Sequence, residues 1–249
     1  PAPVAAIMAI MSKVGVYVIL RLSLLFFSEE TVSAGFGTNA LLLGGLATIT
    51  FGAIGVLASQ SLGRLAGFSV LVSSGTLLAS LGLFEAGVTA GALLYLVSST
   101  VAISAFFLLI ELVERGQDQI SNVLAVTVEA FGDEEVDEDF EEEVGVVIPG
   151  TLAILGISFG ACALLLAGLP PLPGFVAKFV IIDAGMNPGG ADGGSVISPS
   201  AWWLTAFLIL SGLASLISMS RAGIRAFWAP VDAVVPRVLV TEILPIAAL

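Results

Sequence analysis

Two lysines are the residues in this sequence with the clearest capacity to carry a proton. Lys13 and Lys178 are its only lysines, and both fall inside long apolar segments. A charge at the centre of a membrane helix costs about 2.5–3.5 kcal/mol on insertion scales, so such residues usually face a bundle interior or a water-filled cavity. A structural ion pair or snorkelling to the interface is the alternative. Lys13 lies about 15 Å of helix rise from either end of its segment, which is too far to snorkel comfortably.

A predicted helix break precedes Lys178. The sequence LPPLPG at 169–174 places Pro170, Pro171, Pro173 and Gly174 where an α-helix cannot continue. Irregular backbone at membrane depth is tolerated only where protein buries it or water lines it, and broken helices mark ion sites in many transporters. An ordinary interhelical turn is the alternative. We predict that this break holds water beside Lys178.

Hydroxyl groups on two neighbouring segments could extend a water path. Serines in membrane helices serve packing and interhelical hydrogen bonds, or they line hydrated paths, and the sequence leaves both roles open. The candidates are Ser69, Ser73, Ser74, Ser98, Ser99 and Ser104. Asp183 is a weak cation-site candidate, because a separation of five residues does not place it on the helix face of Lys178.

The elements that must position these residues are membrane helices. The chain is 57% apolar and 11% charged, with a mean hydropathy of +1.09, whereas a soluble domain carries about 25% charged residues. It has one cysteine and no histidine, which excludes a disulfide framework and thiolate or imidazole metal sites. No phosphate loop, dinucleotide fingerprint or haem spacing is present. The sequence therefore predicts no cofactor, no metal and no nucleic-acid partner.

The apolar segments predict an all-α polytopic helical bundle with one discontinuous helix. The predicted spans are residues 3–27, 39–60, 65–84, 87–113, 147–187 broken at 169–174, 201–225, and a partial span from 240. If 147–187 crosses once, five arginines share one side of the membrane: Arg64, Arg115, Arg221, Arg225 and Arg237. Arginine favours the cytoplasmic side, so this bias supports one broken span rather than two.

An acidic loop is predicted over residues 116–144, on the cytoplasmic side. Ten of the twenty acidic residues fall between Glu129 and Glu143. Such a run repels itself and is typical of a solvated linker, although collecting cations or contacting a partner are alternatives. The chain opens at Pro1 and ends at Leu249, both at or within apolar segments, so we expect a fragment of a longer protein.

Three segments resemble a known family. SKVGVYVILR, GRLAGFSVLVSSG and GLPPLPGFVAKF are similar to the antiporter-like membrane subunits of respiratory complex I and of the multisubunit Mrp/Pha cation/proton antiporters. ELVERG followed by an acidic loop is most similar to the D subunit of the Mrp/Pha antiporters. The resemblance implies a fourteen-helix parent with two inverted five-helix repeats, of which this chain holds the second. It also implies that Lys13 and Lys178 are the proton-path lysines of the eighth helix and of the discontinuous twelfth helix.

The resemblance implies a component of a Na⁺ or K⁺/proton antiporter, acting with other membrane subunits in a bacterial inner membrane and not as an enzyme. The alternatives are a proton-pumping subunit of a complex I-like NADH:quinone oxidoreductase or membrane hydrogenase, and a scaffold in which both lysines tolerate neutral replacement. The sequence also departs from the family pattern. Many relatives carry histidine or glutamine at Ser73, and histidine and lysine at Ser99 and Ile103.

Overall fold

Every element of the described chain is helical. A computed structural model describes residues 2–26, 35–130, 150–188 and 197–228. The helices are α1 Ala2–Phe26, α2 Thr38–Ala58, α3 Leu62–Leu81, α4 Ala86–Ala130, α5 Gly150–Ala167, α6 Pro173–Met186 and α7 Pro199–Gly223, which continues as a π-helical turn, Ile224–Trp228. Four helical stretches are long and apolar enough to cross a membrane: Thr38–Ala58, Leu62–Leu81, Ala86–Arg115 and Pro199–Phe227. The predicted all-α membrane fold is confirmed.

The discontinuous helix is present as α5 and α6. Helix α5 ends at Ala167 and α6 begins at Pro173. At one end of the bundle Phe159 packs with Ala222 of α7, and at the other end Gly185 of α6 lines a cavity with Ser198. Helices α5 and α6 together therefore run once from one end of the bundle to the other. That this stretch is a single membrane span stays a prediction.

Helix α4 extends further than the sequence suggests. It continues to Ala130, although the sequence places the end of this span at 113 and a loop from 116. Gly116 and the polar residues after it resemble a helix end, but residues 117–130 contain neither proline nor glycine, so nothing in the backbone stops the helix. The acidic residues 133–143 and the partial span from 240 lie outside the described residues.

Small residues hold α2 and α3 in close contact. A Cβ atom on Gly75 would lie 2.8 Å from the backbone nitrogen of Ile49, and one on Gly45 would collide with the backbone of Ala79. In membranes, helices with small residues at the interface approach closely and gain packing energy. Helices α1, α4 and α7 pack against this pair.

Two apolar clusters are separated along the bundle axis. One contains Val56, Phe106 and Met219, and lies toward the end with Arg64 and Arg221. The other contains Leu42, Val88 and Leu204 at the opposite end. Buried polar residues fall between them: Ser98 and Ser99 lie between Tyr95 and Ala105 on α4, and Ser211, Ser215 and Ser218 lie between Leu208 and Met219 on α7. The fold thus places a polar layer inside an apolar bundle.

Candidate functional site

Lys178 lies where the broken helix approaches α7. It is the sixth residue of α6, and 7% of its surface is exposed. Its Nζ donates a hydrogen bond to the carbonyl oxygen of Ala167 at 2.9 Å and approaches that of Leu166 at 3.5 Å. The ammonium group is therefore held by the last carbonyls of α5, at the end of a helix whose dipole favours cations.

The prolines of the break explain why these carbonyls are available. In a continuous α-helix the carbonyls of Leu166 and Ala167 would accept from the N–H groups of the residues four positions later. Those residues are Pro170 and Pro171, which have no N–H. The sequence thus removes two backbone donors, and Lys178 supplies the replacement from α6.

Glycines leave the space that the lysine occupies. Gly168 has a left-handed backbone, φ +77°, and a Cβ there would lie 2.8 Å from Lys178 Cδ. A Cβ on Gly174 would collide with the carbonyl oxygen of Leu165. On α7, a Cβ on Gly212 would lie 3.0 Å from the oxygen of Ala167 and 3.8 Å from Lys178 Nζ. Backbone from two helices therefore surrounds this side chain, and added atoms would displace it.

A cavity of about 220 Å³ adjoins Lys178, between α6 and α7. Its other walls include Phe175, Phe179, Ile209 and Leu213, and these four side chains are also exposed on the outside of the bundle. Of the residues that the structure describes, Lys178 is the one charged residue that lines it. The predicted water beside Lys178 remains a prediction, and the apolar walls would confine such water to the ammonium end.

Lys13 has a different environment on α1. It is 3% exposed, and its Nζ donates to Ser73 Oγ of α3. Ser73 Oγ in turn donates to the carbonyl oxygen of Val70 at 2.9 Å. Among the α1 residues whose burial is described, 7 and 10–26, the buried positions are Lys13, Val16 and Leu20, a narrow stripe on a helix that packs on α3 and α4. The structure thus joins two residues that the sequence placed on separate segments.

Three of the other predicted hydroxyls donate their protons to carbonyl oxygens of their own helices. Ser69 donates to Leu65 O at 2.8 Å, Ser98 to Tyr95 O at 3.2 Å, and Ser99 to Leu96 O at 3.3 Å. Their oxygen lone pairs can still accept from water. Ser74 Oγ is buried without a partner in the described part of the chain, and Ser104 is half-buried.

Three buried serines on α7 were not predicted from the sequence. Ser211, Ser215 and Ser218 are 1%, 4% and 1% exposed, and Ser218 Oγ has no partner among the described residues. Their spacing of four and three residues places them on one helix face. That spacing was visible in the sequence. On the same helix, the neighbouring Gly212 approaches Lys178 Nζ.

Asp183 does not join the lysines. It is exposed near the end of α6, and its Oδ1 accepts a hydrogen bond from Asn187 Nδ2 at 2.9 Å. Within the described ranges there is no group of three or more histidine, cysteine, aspartate or glutamate residues that could hold a metal.

The chain is similar to proteins of one family over most of its length. A family described as NADH:quinone oxidoreductase/Mrp antiporter, TM, matches residues 1–191. The D subunit of a probable K⁺/H⁺ antiporter from Rhizobium meliloti is 58% identical over 99% of this chain and 46% of that protein. The D subunit of a Na⁺/H⁺ antiporter from Bacillus subtilis is 29% identical over 92% of this chain and 40% of that protein. The chain thus spans less than half the length of these relatives.

A solved structure has the same fold. One chain of the Mrp complex from Dietzia sp. superposes with a TM-score of 0.61 at 20% identity, covering 92% of this chain and 38% of that one. At this identity the likeness establishes the arrangement of helices and no more.

Proposed function

Because the chain belongs to the NADH:quinone oxidoreductase/Mrp antiporter transmembrane family, we propose that it is part of a subunit that exchanges Na⁺ or K⁺ for protons. The subunit is a secondary transporter component rather than an enzyme. Its curated relatives are named as K⁺/H⁺ and Na⁺/H⁺ antiporter subunits, which favours cation exchange over a redox-driven pump. The relative named for K⁺ is the more similar of the two, so K⁺ is the first cation to test.

The observation that carries the proposal is the position of Lys178. Its ammonium is held by carbonyls at the end of α5 rather than by a carboxylate. Such a partner stabilises the bound proton without a fixed negative charge, so the lysine can release the proton without leaving an unpaired anion in the membrane. The adjoining cavity provides a place for water at Nζ.

Lys13 is proposed to couple this half of the protein to the rest of the path. Two positive charges repel more strongly in a low-dielectric interior than in water. Protonation of one lysine therefore disfavours protonation of the other, and charge can move as alternating occupancies. Water held by the lone pairs of Ser98, Ser99 and the α7 serines would bridge the space where relatives place charged side chains.

The subunit is proposed to act with other membrane subunits in the lipid bilayer of a bacterial inner membrane. Arg64 follows the α2–α3 turn, and Arg221 donates to the carbonyl oxygens of Leu57 and Ser59 at that turn. The three connections at the opposite end, residues 28–38, 85–86 and 188–200, contain no lysine or arginine. The arginine end, with the acidic loop, is proposed to face the cytoplasm.

Everted membrane vesicles that carry the full-length protein and its partner subunits test this function. A pH gradient is imposed, and its collapse on adding K⁺ or Na⁺ is compared between wild type and Lys178→Met. We expect wild type to exchange and the variant to be inactive at equal assembly. Ile182→Met, one turn further along α6 and in the same cavity wall, is the matched control and should retain exchange.

Two outcomes would overturn the proposal. If neither cation collapses the gradient in wild type, cation exchange is wrong and a redox-driven pump becomes the better hypothesis. If Lys178→Met exchanges as fast as wild type, Lys178 is not on the proton path, and the scaffold role gains support.

A further inference from the structure

A second cavity, of about 290 Å³, lies at the end of the bundle opposite the arginines. Five helix ends meet there, because α2, α4 and α7 begin and α3 and α6 end at this level. Oxygen-bearing side chains supply most of its lining, and they belong to Thr38, Asn39, Glu85, Ser198 and Ser200. Three connections that are distant in sequence thus form one polar chamber.

Among the described residues, Glu85 is the one charged residue in this lining. Its side chain is half-buried, and no lysine or arginine of the described ranges lines the cavity. In the part of the chain that the structure describes, its carboxylate has neither an ion-pair partner nor a hydrogen bond. A half-buried carboxylate that lacks a basic partner favours the approach of a cation.

The hydroxyl groups that line the chamber supply neutral oxygen atoms. Thr38 Oγ1 donates to the carbonyl oxygen of Gly35 at 2.8 Å, so its lone pairs remain free to act as ligands. Ser198 Oγ and Ser200 Oγ share one hydrogen bond at 2.8 Å. The amide oxygen of Asn39 adds a further neutral ligand. The donor set is therefore hard oxygen, which suits alkali and alkaline-earth ions rather than thiolate- or imidazole-seeking metals.

The number of carboxylates indicates whether a hard-cation site suits a monovalent or a divalent ion. One carboxylate neutralises a monovalent ion, whereas Ca²⁺ sites usually combine several carboxylates. We propose that this chamber binds a monovalent alkali cation through the Glu85 carboxylate and the surrounding hydroxyl and amide oxygens. The inference rests on the proposed cation exchange and adds where the cation is taken up.

The turn that carries Glu85 is held in one conformation. Phe84 has φ +55°, a left-handed backbone that is rare for a bulky residue. Such strained residues persist where surrounding structure fixes them, and they cluster at functional sites. Gly82, two residues earlier, packs directly on the backbone of Leu42. The backbone that carries Glu85 therefore lies in close contact with the start of α2.

Asp183 provides a matched control at the same end of the bundle. It is an exposed carboxylate, it is bonded to Asn187, and it does not line the chamber. Asp183→Asn and Glu85→Gln each remove one negative charge from this end. A general effect of surface charge on cation concentration would therefore appear in both variants, and a ligand effect only in Glu85→Gln.

Equilibrium binding of radioactive rubidium or sodium to the purified complete complex tests the site directly. We expect Glu85→Gln to weaken binding by about tenfold, the size of one lost charge-assisted contact, and Asp183→Asn to leave it unchanged. In vesicles, the apparent KM for the cation should rise by about the same factor in Glu85→Gln, with the limiting rate retained.

The outcomes separate this inference from the proposed function. If wild type exchanges cations but Glu85→Gln binds and exchanges them as wild type does, the chamber is not the site, and cation exchange stands. If the complex binds rubidium or sodium through Glu85 but no exchange occurs, the site stands and the proposed exchange fails. Should Glu85→Gln not assemble, Ser200→Ala decides: an unchanged apparent KM overturns the inference, and a rise of about twofold or threefold supports it.

Discussion

The two buried lysines have partners of different chemical kinds. Lys13 lies in the continuous helix α1, whose backbone groups bond to one another, and its ammonium donates to the side chain of Ser73. Lys178 lies beside a broken helix, and its ammonium donates to the main-chain carbonyl of Ala167. A hydroxyl can rotate and can donate as well as accept. A carbonyl at the end of a helix accepts only, and the backbone fixes its direction.

Because of this difference, the two lysine sites should be sensitive to substitutions in different parts of the sequence. The Lys178 site depends on backbone shape, and hence on the glycines and prolines of 168–174. The Lys13 site depends on the chemistry of one side chain on another helix. Substitutions that alter backbone shape should therefore damage the first site, and substitutions that remove a hydroxyl should damage the second.

Among substitutions that keep both lysines, the largest effect on exchange is expected for Gly168→Ala. An alanine there meets Lys178 Cδ and Nζ at 2.8 and 3.0 Å, and the left-handed backbone costs a residue with a side chain about 1–2 kcal/mol. We expect the exchange rate to fall by about tenfold or more, since each 1.4 kcal/mol is a factor of ten. Vesicle exchange assays and thermal unfolding of the purified complex would measure both effects.

Gly160→Ala is the control for this variant. Gly160 lies within α5, and a Cβ there has nothing within 4 Å, so alanine should be neutral or slightly stabilising because it favours the helix. If Gly168→Ala and Gly160→Ala exchange at equal rates, the backbone around Lys178 does not position its ammonium, and the contrast between the two sites is lost.

A smaller effect is expected for Ser73→Ala. The variant leaves Lys13 Nζ buried without its side-chain acceptor, and an unsatisfied buried polar group costs about 1–3 kcal/mol. We expect a several-fold loss of exchange and a lower unfolding temperature, measured as for Gly168→Ala. Ser69→Ala is the matched control, because Ser69 is also buried in α3 but donates only to its own helix at Leu65 O. Equal losses in both variants would show that the Lys13–Ser73 contact has no special role.

The features that the sequence predicts well are those encoded by neighbouring residues. The fold class follows from long apolar segments, and the break follows from three prolines within four residues of one another. The depth of both lysines follows from their position within those segments. Each of these inferences needs only local composition and the length of a helix that spans a bilayer.

The features that the sequence could not supply depend on contacts between distant residues. Lys13 and Ser73 are separated by 60 positions, so only the packing of α1 on α3 brings them together. Glu85 resembles an ordinary residue between two spans, and its significance emerges when α2, α6 and α7 enclose it. Asp183 is near Lys178 in sequence, yet the fold places its side chain on the surface.

The end of helix α4 was predicted wrongly for a different reason. Gly116 and the polar residues after it favour a helix end, because glycine is a poor helix former. The helix continues to Ala130, since a single glycine costs only about 1 kcal/mol relative to alanine and no proline follows before Ala130. A glycine followed by polar residues therefore does not end a helix when no proline prevents the helix from continuing.

The smallest loss of exchange is expected for Gly212→Ala on α7. This variant tests whether α7 helps to position the Ala167 carbonyl that accepts from Lys178. The new Cβ would lie 3.0 Å from the oxygen of Ala167 and 3.8 Å from Lys178 Nζ, so α7 must move by a few tenths of an ångström. We expect exchange to fall by about twofold, which corresponds to less than about 0.5 kcal/mol.

Gly67→Ala, on α3 with nothing within 4 Å of the added Cβ, should have no effect on exchange in the same assay. Retained exchange in Gly212→Ala together with a loss in Gly168→Ala would mean that the α5 end alone positions the ammonium. A loss in Gly212→Ala as large as that in Gly168→Ala would mean that α7 is an equal partner. Lys178 would then depend on three helices. Its contrast with Lys13 would concern the number of helices that meet at the lysine, as well as the kind of group that accepts its hydrogen bond.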